Sequence, residues 1–464
     1  MNQNNGQLAK LLQSPDNGDD LSIHDNQLAK ADGSFVFPNI SDIPWLFEFP
    51  ASSLLHWQTK SQMAIYDSTE KIRGIKEKMS LKGLPSKTKE RMKLLSSSEE
   101  HNVEILKKTL QGLFAYDVSS LNAVEALMGK TAASQEIRAY ENALIRDWAV
   151  DDHFEAINDA ALELIKGHLP KDLQGGKLLT LGSGGARLPM DLCRLLRPDV
   201  AIACDINPFA TLMAQNIYQG GRFDYFEFPG IPKDFESSAL KRQLAMTKPR
   251  PEHFYFLLAD ALNFPFKKDS MDLVFTPWFI DIIHQDFSVF ISQLNPVIKE
   301  GGYWISFGPL HFDHRGPEGR YSFEEIKILA EKNGFAIESH GCEFMPYLMS
   351  PGSAYQRHDQ VHCIVAKKVK TVDKPEQNTK YLPEWILDPS IPVPAEEYIL
   401  NLQASHGLRS QILNQVDGKR SILDIIPEIG KALGLPHDQA VQMVLGYLTE
   451  VYEQQIQDQF RGLA

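Results

Sequence analysis

Cysteine is scarce in this sequence of 464 residues. Its four cysteines, Cys193, Cys204, Cys342 and Cys363, show no C-x-x-C spacing, which argues against a zinc knuckle and against a disulfide framework. Because all four lie in apolar-rich segments, we expect buried, reduced thiols and a cytoplasmic location.

Long hydrophobic runs are also missing. No apolar stretch approaches the roughly 18 residues that are needed to span a bilayer. Residues 1–33 are polar and rich in Asn, Asp and Gly, and they have neither the charged nor the apolar region of a signal peptide. We therefore expect no membrane partner.

An excess of positive charge is absent too. The sequence has 47 Lys and Arg against 60 Asp and Glu, which gives a net charge of −13 at pH 7. Duplex nucleic-acid binding requires a basic footprint, so no nucleic-acid partner is expected. One basic run, residues 71–93, carries nine Lys or Arg against two Glu, and a solvated helical face explains it better than a site for an anionic partner.

Periodicity and composition divide the chain into five segments. They are a disordered tail (1–33), a helical N-terminal domain (34–166), an α/β domain (167–369), a linker (370–394) and a small, mostly helical C-terminal module (395–464). In the third segment short apolar runs alternate with helical stretches, which is typical of βαβ units and a parallel sheet. Strands are predicted at 178–181, 200–204, 255–258, 271–276, 303–308 and 362–368, and helices at 187–196, 209–217, 286–299 and 322–333.

A glycine-rich turn follows the first of these predicted strands. Gly182 and Gly184 remove side chains where the backbone must turn sharply and where a ligand can approach closely. Taken alone, such a turn can serve NAD, FAD or merely a tight βα loop.

Two acidic residues make the turn more informative. Asp205 ends the next apolar run, 23 residues after Gly182, where a carboxylate can accept both ribose hydroxyls of an adenosine group. Asp260 ends the third strand and can accept from the adenine amino group, while Ala261 can donate a backbone N–H to a ring nitrogen. After the glycine turn and Asp205, this third element, Asp260 with Ala261, favours S-adenosylmethionine over NAD, because S-adenosylmethionine has no pyrophosphate. The alternative is that both carboxylates only cap loops.

Four segments resemble the carnosine N-methyltransferase-like family of class I methyltransferases. They are Leu-Ile-Arg-Asp-Trp at 144–148, Thr-Pro-Trp-Phe-Ile-Asp-Ile-Ile at 276–283, the strand at 299–310 that ends in Phe-Gly-Pro-Leu, and Tyr-Ser-Phe-Glu-Glu-Ile at 321–326. The resemblance covers about residues 45–368. It implies an α/β fold with a Rossmann-like, seven-stranded class I methyltransferase sheet, S-adenosylmethionine as cofactor, and methylation of an imidazole nitrogen in a histidine-containing small molecule or peptide.

The resemblance also implies roles for particular residues. Arg146 would hold the cofactor's carboxylate, a task that suits a guanidinium group, and Asp281 would lie beside the acceptor. The alternative for Asp281 is a helix cap. Further candidates for cofactor binding are Asn207 and Pro277, and further candidates for substrate binding are Trp278 and Tyr355.

The chain departs from the family pattern at three places. Ala143 stands where the family usually has a Gln, and the late Tyr-rich strand reads Tyr-Gln-Arg-His-Asp-Gln-Val-His at 355–362. The family's Leu-Tyr-His-Phe becomes His311-Phe-Asp-His314, so that Asp313 stands at the expected base position. His311, Asp313 and His314 are candidates for binding or removing an imidazole proton. Structural roles for the two histidines remain open, and no convincing set of metal ligands accompanies them.

Three aromatic residues near this site, Trp278, Phe279 and Phe312, are candidates for cation–π contacts with a sulfonium or a cationic substrate. Core packing is an equally good explanation for each of them.

The C-terminal module begins its main helix with capping-box spacing between Ser421 and Asp424, and a second helix is predicted at 438–454. The pattern is similar to small winged-helix modules that recruit peptides to modifying enzymes; a dimerisation or lid element is the alternative.

The sequence therefore predicts an N-methyltransferase for a small molecule or peptide. Alternatives are methylation at O, S or C of a protein or natural product, and a non-catalytic cofactor-binding scaffold. A homodimer or a peptide partner that binds the C-terminal module is a further possibility.

Overall fold

The structure is a computed structural model that describes residues 5–118, 136–171, 173, 175–283, 285–312, 317–372, 407, 409–416 and 419–448. The chain divides into two compact units, residues 1–376 and residues 377–464. Among the described residues, no helix has both the length and the apolar character that crossing a membrane demands.

The first unit is built on a large sheet flanked by helices. Its strands are β1 Leu21–His24, β2 Gln27–Lys30, β3 Asn39–Ile40, β4 Ile43–Leu46, β5 Lys177–Leu181, β6 Val200–Asp205, β7 Phe223–Glu227, β8 Leu240–Leu244, β9 Phe254–Ala259, β10 Met271–Pro277, β11 Ile298–Gly308, β12 Phe335–Pro346 and β13 His358–Lys368. Its helices are α1 Asn5–Ala9, α2 Pro50–Met79, α3 Ser86–Thr109, α4 Glu141–Trp148, α5 Asp152–His168, α6 Arg187–Leu196, α7 Pro208–Tyr218, α8 Phe287–Leu294 and α9 Phe323–Lys332.

Nine strands form the central sheet in the order β12-β13-β11-β10-β5-β6-β9-β4-β3. The seven strands from β12 to β9 have the order of the class I methyltransferase sheet, and β13 runs antiparallel to both of its neighbours. This confirms the predicted fold class. The central strands β6 and β9 are buried at every position, which is why each reads as a continuous apolar run rather than an alternating one.

The predicted strands and helices of the α/β domain all correspond to observed elements. The helix at 187–196 has the predicted bounds, whereas the one predicted at 286–299 ends at Leu294 because Pro296 and a strand that begins at Ile298 follow it. Sequence reasoning missed β12. Most of its residues are partly or fully exposed, so it has neither a long apolar run nor a clear alternation.

The prediction of a disordered tail at residues 1–33 was wrong for residues 5–33, the part of it that the structure describes. Residues 5–9 form a helix and residues 21–30 form a hairpin. Leu8, Leu12 and Leu28 are each at most 1% exposed and pack into the core. Burial of these leucines offsets the polar composition that suggested disorder.

The segment at 34–166 is not purely helical. It contributes β3 and β4, and β4 pairs in parallel with β9, with Trp45 opposite Leu258. All four residues of β4 are buried, and such a short buried run has no alternation that identifies it as a strand.

Residues Ile422–Leu433 of the second unit form helix α10, and residues 437–448 are also helical. The predicted capping box is present: the Ser421 hydroxyl accepts from the Asp424 N–H, and the Asp424 carboxylate accepts from the Ser421 N–H. Apolar side chains from both helices, among them Ile425, Ile429 and Val444, form a separate small core. The winged-helix resemblance stays a prediction.

Three of the four cysteines are buried, as expected, and all four are free thiols. Burial raises the pKa of Cys193 and of Cys363 to about 12. Cys342 is exposed, contrary to the expectation, because it lies on the half-exposed strand β12.

Candidate cofactor and acceptor site

The glycine-rich turn joins β5 to α6 and forms the floor of the site. Gly182 and Gly184 have φ values of +66° and +51°, a left-handed region that favours glycine. A Cβ on Gly182 would come within 2.3 Å of the Phe279 ring, and one on Gly185 within 2.5 Å of an Asp147 carboxylate oxygen. The turn therefore requires glycine for its backbone conformation, and also because Phe279 and Asp147 leave no room for a Cβ.

Helix α4 fixes this turn from one side. Trp148 donates its indole N–H to the Gly185 carbonyl at 2.7 Å, and Arg187 donates to the Asp147 carbonyl at 3.1 Å. The segment 144–148 thus reaches the cofactor site through direct hydrogen bonds to the turn and to the first residue of α6.

Asp205 lies at the end of β6, next to the turn. Its carboxylate accepts from the N–H of Gly184 at 2.7 Å and from the N–H of Asn207 at 2.8 Å. Burial raises the pKa of Asp205 above its ordinary value, although these backbone donors act in the opposite direction. Each oxygen keeps a second lone pair that a ribose hydroxyl can use.

Asp260 follows β9 and begins the loop on the far side of β6. Its carboxylate accepts from the Leu262 N–H at 2.8 Å, and burial raises the pKa of Asp260. The carboxylate is thus held by its own loop.

A cavity of about 350 Å³ joins these elements. Seven of the eight residues predicted to bind the cofactor line it, namely Arg146, Gly182, Gly184, Asp205, Asp260, Ala261 and Pro277. Trp278, predicted for substrate binding, lines the same cavity, and so does Phe279.

Asn207 is the exception, and its predicted role needs correction. Its side chain is fully buried and caps helix α7, accepting from the Ala210 N–H at 3.1 Å. Its amide nitrogen donates to the carbonyls of Glu136 and Ile137, each at 3.3 Å. Both polar ends of the side chain are therefore engaged inside the protein, and Asn207 does not line the cavity.

Arg146 reaches the cavity from α4. Its guanidinium pairs with Asp147 at 2.7 Å and lies 5.5 Å from the centre of the Trp278 ring. One side of the indole therefore already faces a cation that belongs to the protein, which favours a packing role for that face over contact with a sulfonium.

Asp281 lies just behind the cavity wall. It is 3% exposed, and its carboxylate accepts from the backbone N–H of His311 at 3.2 Å. Its neighbours Ile282 and Ile283 line the cavity, whereas Asp281 is not among the lining residues. It does not cap a helix: Asp286 caps α8.

His311 belongs to a polar cluster beside Asp281. Arg357 donates to His311 Nδ1 at 3.3 Å and pairs with the buried Asp359 at 2.7 Å. The Asp359 carboxylate also lies 3.7 Å from His311 Nδ1, so this nitrogen faces both an arginine and an aspartate. Asp313 and His314 lie outside the described residues.

The predicted contact of Tyr355 with the substrate is not supported by its position. Tyr355 is 60% exposed and does not line the cavity, whereas Tyr347 does. The Tyr347 ring lies 5.4 Å from the Trp278 ring and 4.6 Å from the Arg357 guanidinium. Burial raises the pKa of Tyr347, so its phenol stays protonated and able to donate.

Sequence reasoning missed Tyr347 and Tyr140, the two tyrosines of the cavity. Neither follows the end of a predicted strand, so no local pattern points to it. Phe312, offered as an aromatic contact, is 2% exposed and packs edge-to-face on Tyr321. Within the described part of the chain, no group of three or more His, Cys, Asp or Glu side chains could hold a metal ion.

Comparison with known proteins identifies relatives of this chain. The model of the carnosine N-methyltransferase family matches residues 235–371. Carnosine N-methyltransferase unmet of Drosophila melanogaster is 24% identical over 250 residues, which cover 48% of this chain and 53% of the fly protein. The chain therefore spans about half the length of this curated relative.

Two solved structures are similar over part of the chain. One is a complex of the Haloferax volcanii Trm112 methyltransferase activator with a putative methyltransferase (12% identity, 52% of this chain, 100% of that chain, TM-score 0.34). The other is phosphoethanolamine N-methyltransferase 2 of Haemonchus contortus in complex with S-adenosyl-L-methionine (13% identity, 55% of this chain, 62% of that chain, TM-score 0.32).

Proposed function

We propose that this chain, which is similar to carnosine N-methyltransferases, uses S-adenosylmethionine to methylate a nitrogen of an imidazole- or histidine-containing small molecule or peptide. The observation that carries the proposal is the convergence of the glycine turn, Asp205 and Asp260 on one cavity. The choice of an imidazole as methyl acceptor rests only on the similarity to carnosine N-methyltransferases.

The residues present fit an adenosyl cofactor. The turn offers backbone without side chains where Gly182 and Gly185 leave no room for a Cβ. Asp205 would hold the ribose hydroxyls and Asp260 the adenine amino group, since ionised carboxylates accept from both kinds of donor. Arg146 would hold the amino-acid carboxylate, sharing its guanidinium with Asp147. When bound, S-adenosylmethionine supplies an electrophilic methyl group on a sulfonium.

The protein's own contribution to transfer is orientation. A nitrogen lone pair must approach in line at about 3 Å, and holding it there removes much of the barrier. Trp278 and Tyr347 line the part of the cavity where the methyl acceptor would bind. The Tyr347 phenol can donate a hydrogen bond to that molecule. Asp281 lies buried behind Ile282 and Ile283 of the cavity wall, where its charge can stabilise the ring cation that methylation produces.

Binding of S-adenosylhomocysteine, measured by isothermal titration calorimetry, tests the cofactor part of the proposal. We expect binding by the full chain and its loss in the variant Asp205→Asn/Asp260→Asn. Asp199→Asn, an exposed carboxylate that precedes β6, is the matched control and should bind as the unmodified protein does. If the unmodified protein binds no S-adenosylhomocysteine, methyl transfer is excluded.

The acceptor is tested with radiolabelled cofactor and a panel of free histidine, imidazole dipeptides, histidine-containing peptides and cell extract. We expect label in an imidazole compound or peptide, at a ring nitrogen by mass spectrometry. Label found only on oxygen, sulfur or carbon would contradict the imidazole acceptor while leaving methyl transfer intact.

A further inference from the structure

The N-terminal segment, defined as residues 5–30, packs beside the end of the cavity that Asp260 and Ala261 line. Leu8, Leu11 and Leu12 of this segment are at most 4% exposed. They share one hydrophobic cluster with Phe266 and Ala261. The segment is therefore part of the core that lies under the loop after Asp260.

This loop, residues 260–267, provides three residues of the cavity: Asp260, Ala261 and Leu262. Two hydrogen bonds within it are local, from the Leu262 N–H to the Asp260 carboxylate and from the Asn263 N–H to the Asp260 carbonyl at 3.2 Å. These bonds fix the first turn of the loop but not its path back towards β10.

The N-terminal segment holds that path through the backbone. The Gln13 N–H donates to the Pro265 carbonyl at 3.0 Å, and the Lys267 N–H donates to the Leu11 carbonyl at 3.0 Å, so that Leu12 and Phe266 form an antiparallel bridge. Each of these bonds joins residues about 250 positions apart in the sequence.

A side chain adds a third link. The Asn263 amide donates to the Pro15 carbonyl at 3.2 Å and to the Glu48 carboxylate at 3.0 Å. The loop is thus tied on its outer side to the N-terminal segment and to the residues after β4.

We infer that the N-terminal segment positions the 260–267 loop, and hence Asp260 and Ala261, for binding the nucleoside part of the cofactor. This inference rests on the proposed function. Leu11, Leu12 and Gln13 are positioning residues, since they act on the site through the loop. Loss of the bridge lets the loop move away from the cavity, so that the adenine contacts must be ordered at the moment of binding and affinity falls.

The test compares two leucine-to-alanine variants of the full chain. Leu12→Ala removes the side chain of the residue that bridges Phe266 of the loop, whereas Leu28→Ala removes a similarly buried leucine of the same segment that pairs with Ile23 instead. We expect both to lower the thermal midpoint similarly. Only Leu12→Ala should raise the dissociation constant for S-adenosylhomocysteine, by about tenfold. Equal dissociation constants overturn the inference.

Hydrogen–deuterium exchange of the unmodified full chain provides a measurement that needs no variant. We expect peptides covering residues 11–15 and 260–267 to gain protection together when S-adenosylhomocysteine binds. Protection of the loop without any change at residues 11–15 overturns the inference. A protein that binds no S-adenosylhomocysteine at all overturns the proposed function instead, so the two failures are distinguishable.

Discussion

Asp281 is the residue whose role depends most on its surroundings. It is buried, accepts from the His311 N–H at 3.2 Å, and lies behind the cavity wall that Ile282 and Ile283 form. An aspartate in this place can act through its charge on a ring held in the cavity, or through the hydrogen bond that fixes the chain at His311. Substitutions that separate charge from hydrogen bonding distinguish the two roles.

Asp281→Asn keeps an oxygen that can accept from His311 but removes the charge, and Asp281→Ala removes both. If the charge acts on the acceptor, both variants should lose about 100-fold in kcat/KM, with the dissociation constant for S-adenosylhomocysteine within a few-fold of the unmodified value. Steady-state kinetics and calorimetry measure the two quantities. Full activity of Asp281→Asn would leave Asp281 with only the structural hydrogen bond.

Asp205 and Asp260 differ from ordinary carboxylates because burial raises the pKa of each. In the ligand-free protein the folded state therefore binds protons more readily than the unfolded state. The contribution of these groups to the free energy of unfolding is greatest at low pH and is lost as the pH rises from the ordinary value of about 3.9 through the raised pKa.

Cofactor binding should show the opposite pH dependence. An ionised carboxylate accepts from the ribose hydroxyls or from the adenine amino group better than a protonated one does, so we expect the affinity for S-adenosylhomocysteine to fall as the pH drops through the raised pKa values of Asp205 and Asp260. Calorimetry at decreasing pH, as far into the acid range as the protein stays folded, measures this. An unmodified protein whose affinity stays constant down to the pH at which it unfolds would contradict the role of the carboxylates.

At the scale of an element, the turn between β5 and α6 combines two demands on its glycines. Gly182 has a positive φ and also faces the Phe279 ring, whereas Gly184 has a positive φ with only an ordinary contact, 3.7 Å from the Tyr140 ring to a Cβ placed there. The two positions therefore separate backbone strain from steric overlap within a single turn.

We expect Gly184→Ala to lower the free energy of unfolding by about 1 kcal/mol, the cost of the left-handed conformation alone. Gly182→Ala should cost about 3 kcal/mol, since the overlap with Phe279 adds to that strain, and it should also weaken cofactor binding. Urea unfolding measures the two free-energy changes, and isothermal titration calorimetry measures cofactor binding. An equal decrease in the free energy of unfolding in the two variants would mean that the Phe279 ring moves without resistance.

At the scale of the whole molecule, the chain consists of two compact units. The described residues that line the cavity belong to the unit of residues 1–376, and the unit of residues 377–464 has its own small core, with Ile425 and Val444 among its members. The first unit includes the N-terminal segment as well as the sheet.

A chain that ends at residue 376 should therefore bind S-adenosylhomocysteine with a dissociation constant within about twofold of that of the full chain. If the second unit recruits peptides, the shortened chain should keep its activity on small imidazole compounds and lose activity on longer peptides. Calorimetry and the labelled-cofactor assay test this. Loss of S-adenosylhomocysteine binding in a folded shortened chain would show that the second unit contributes to the site.

The sequence by itself determined the central strands, the glycine turn and the two acidic strand ends, because buried parallel strands read as continuous apolar runs and a βα turn needs glycine locally. The tertiary structure decided which side chains share the cavity. It joined the Asn207 amide to the carbonyls of Glu136 and Ile137, placed Tyr347 rather than Tyr355 at the cavity, and placed Leu12 against Phe266. These outcomes depend on contacts between residues far apart in the chain, and a local pattern carries no information about such contacts.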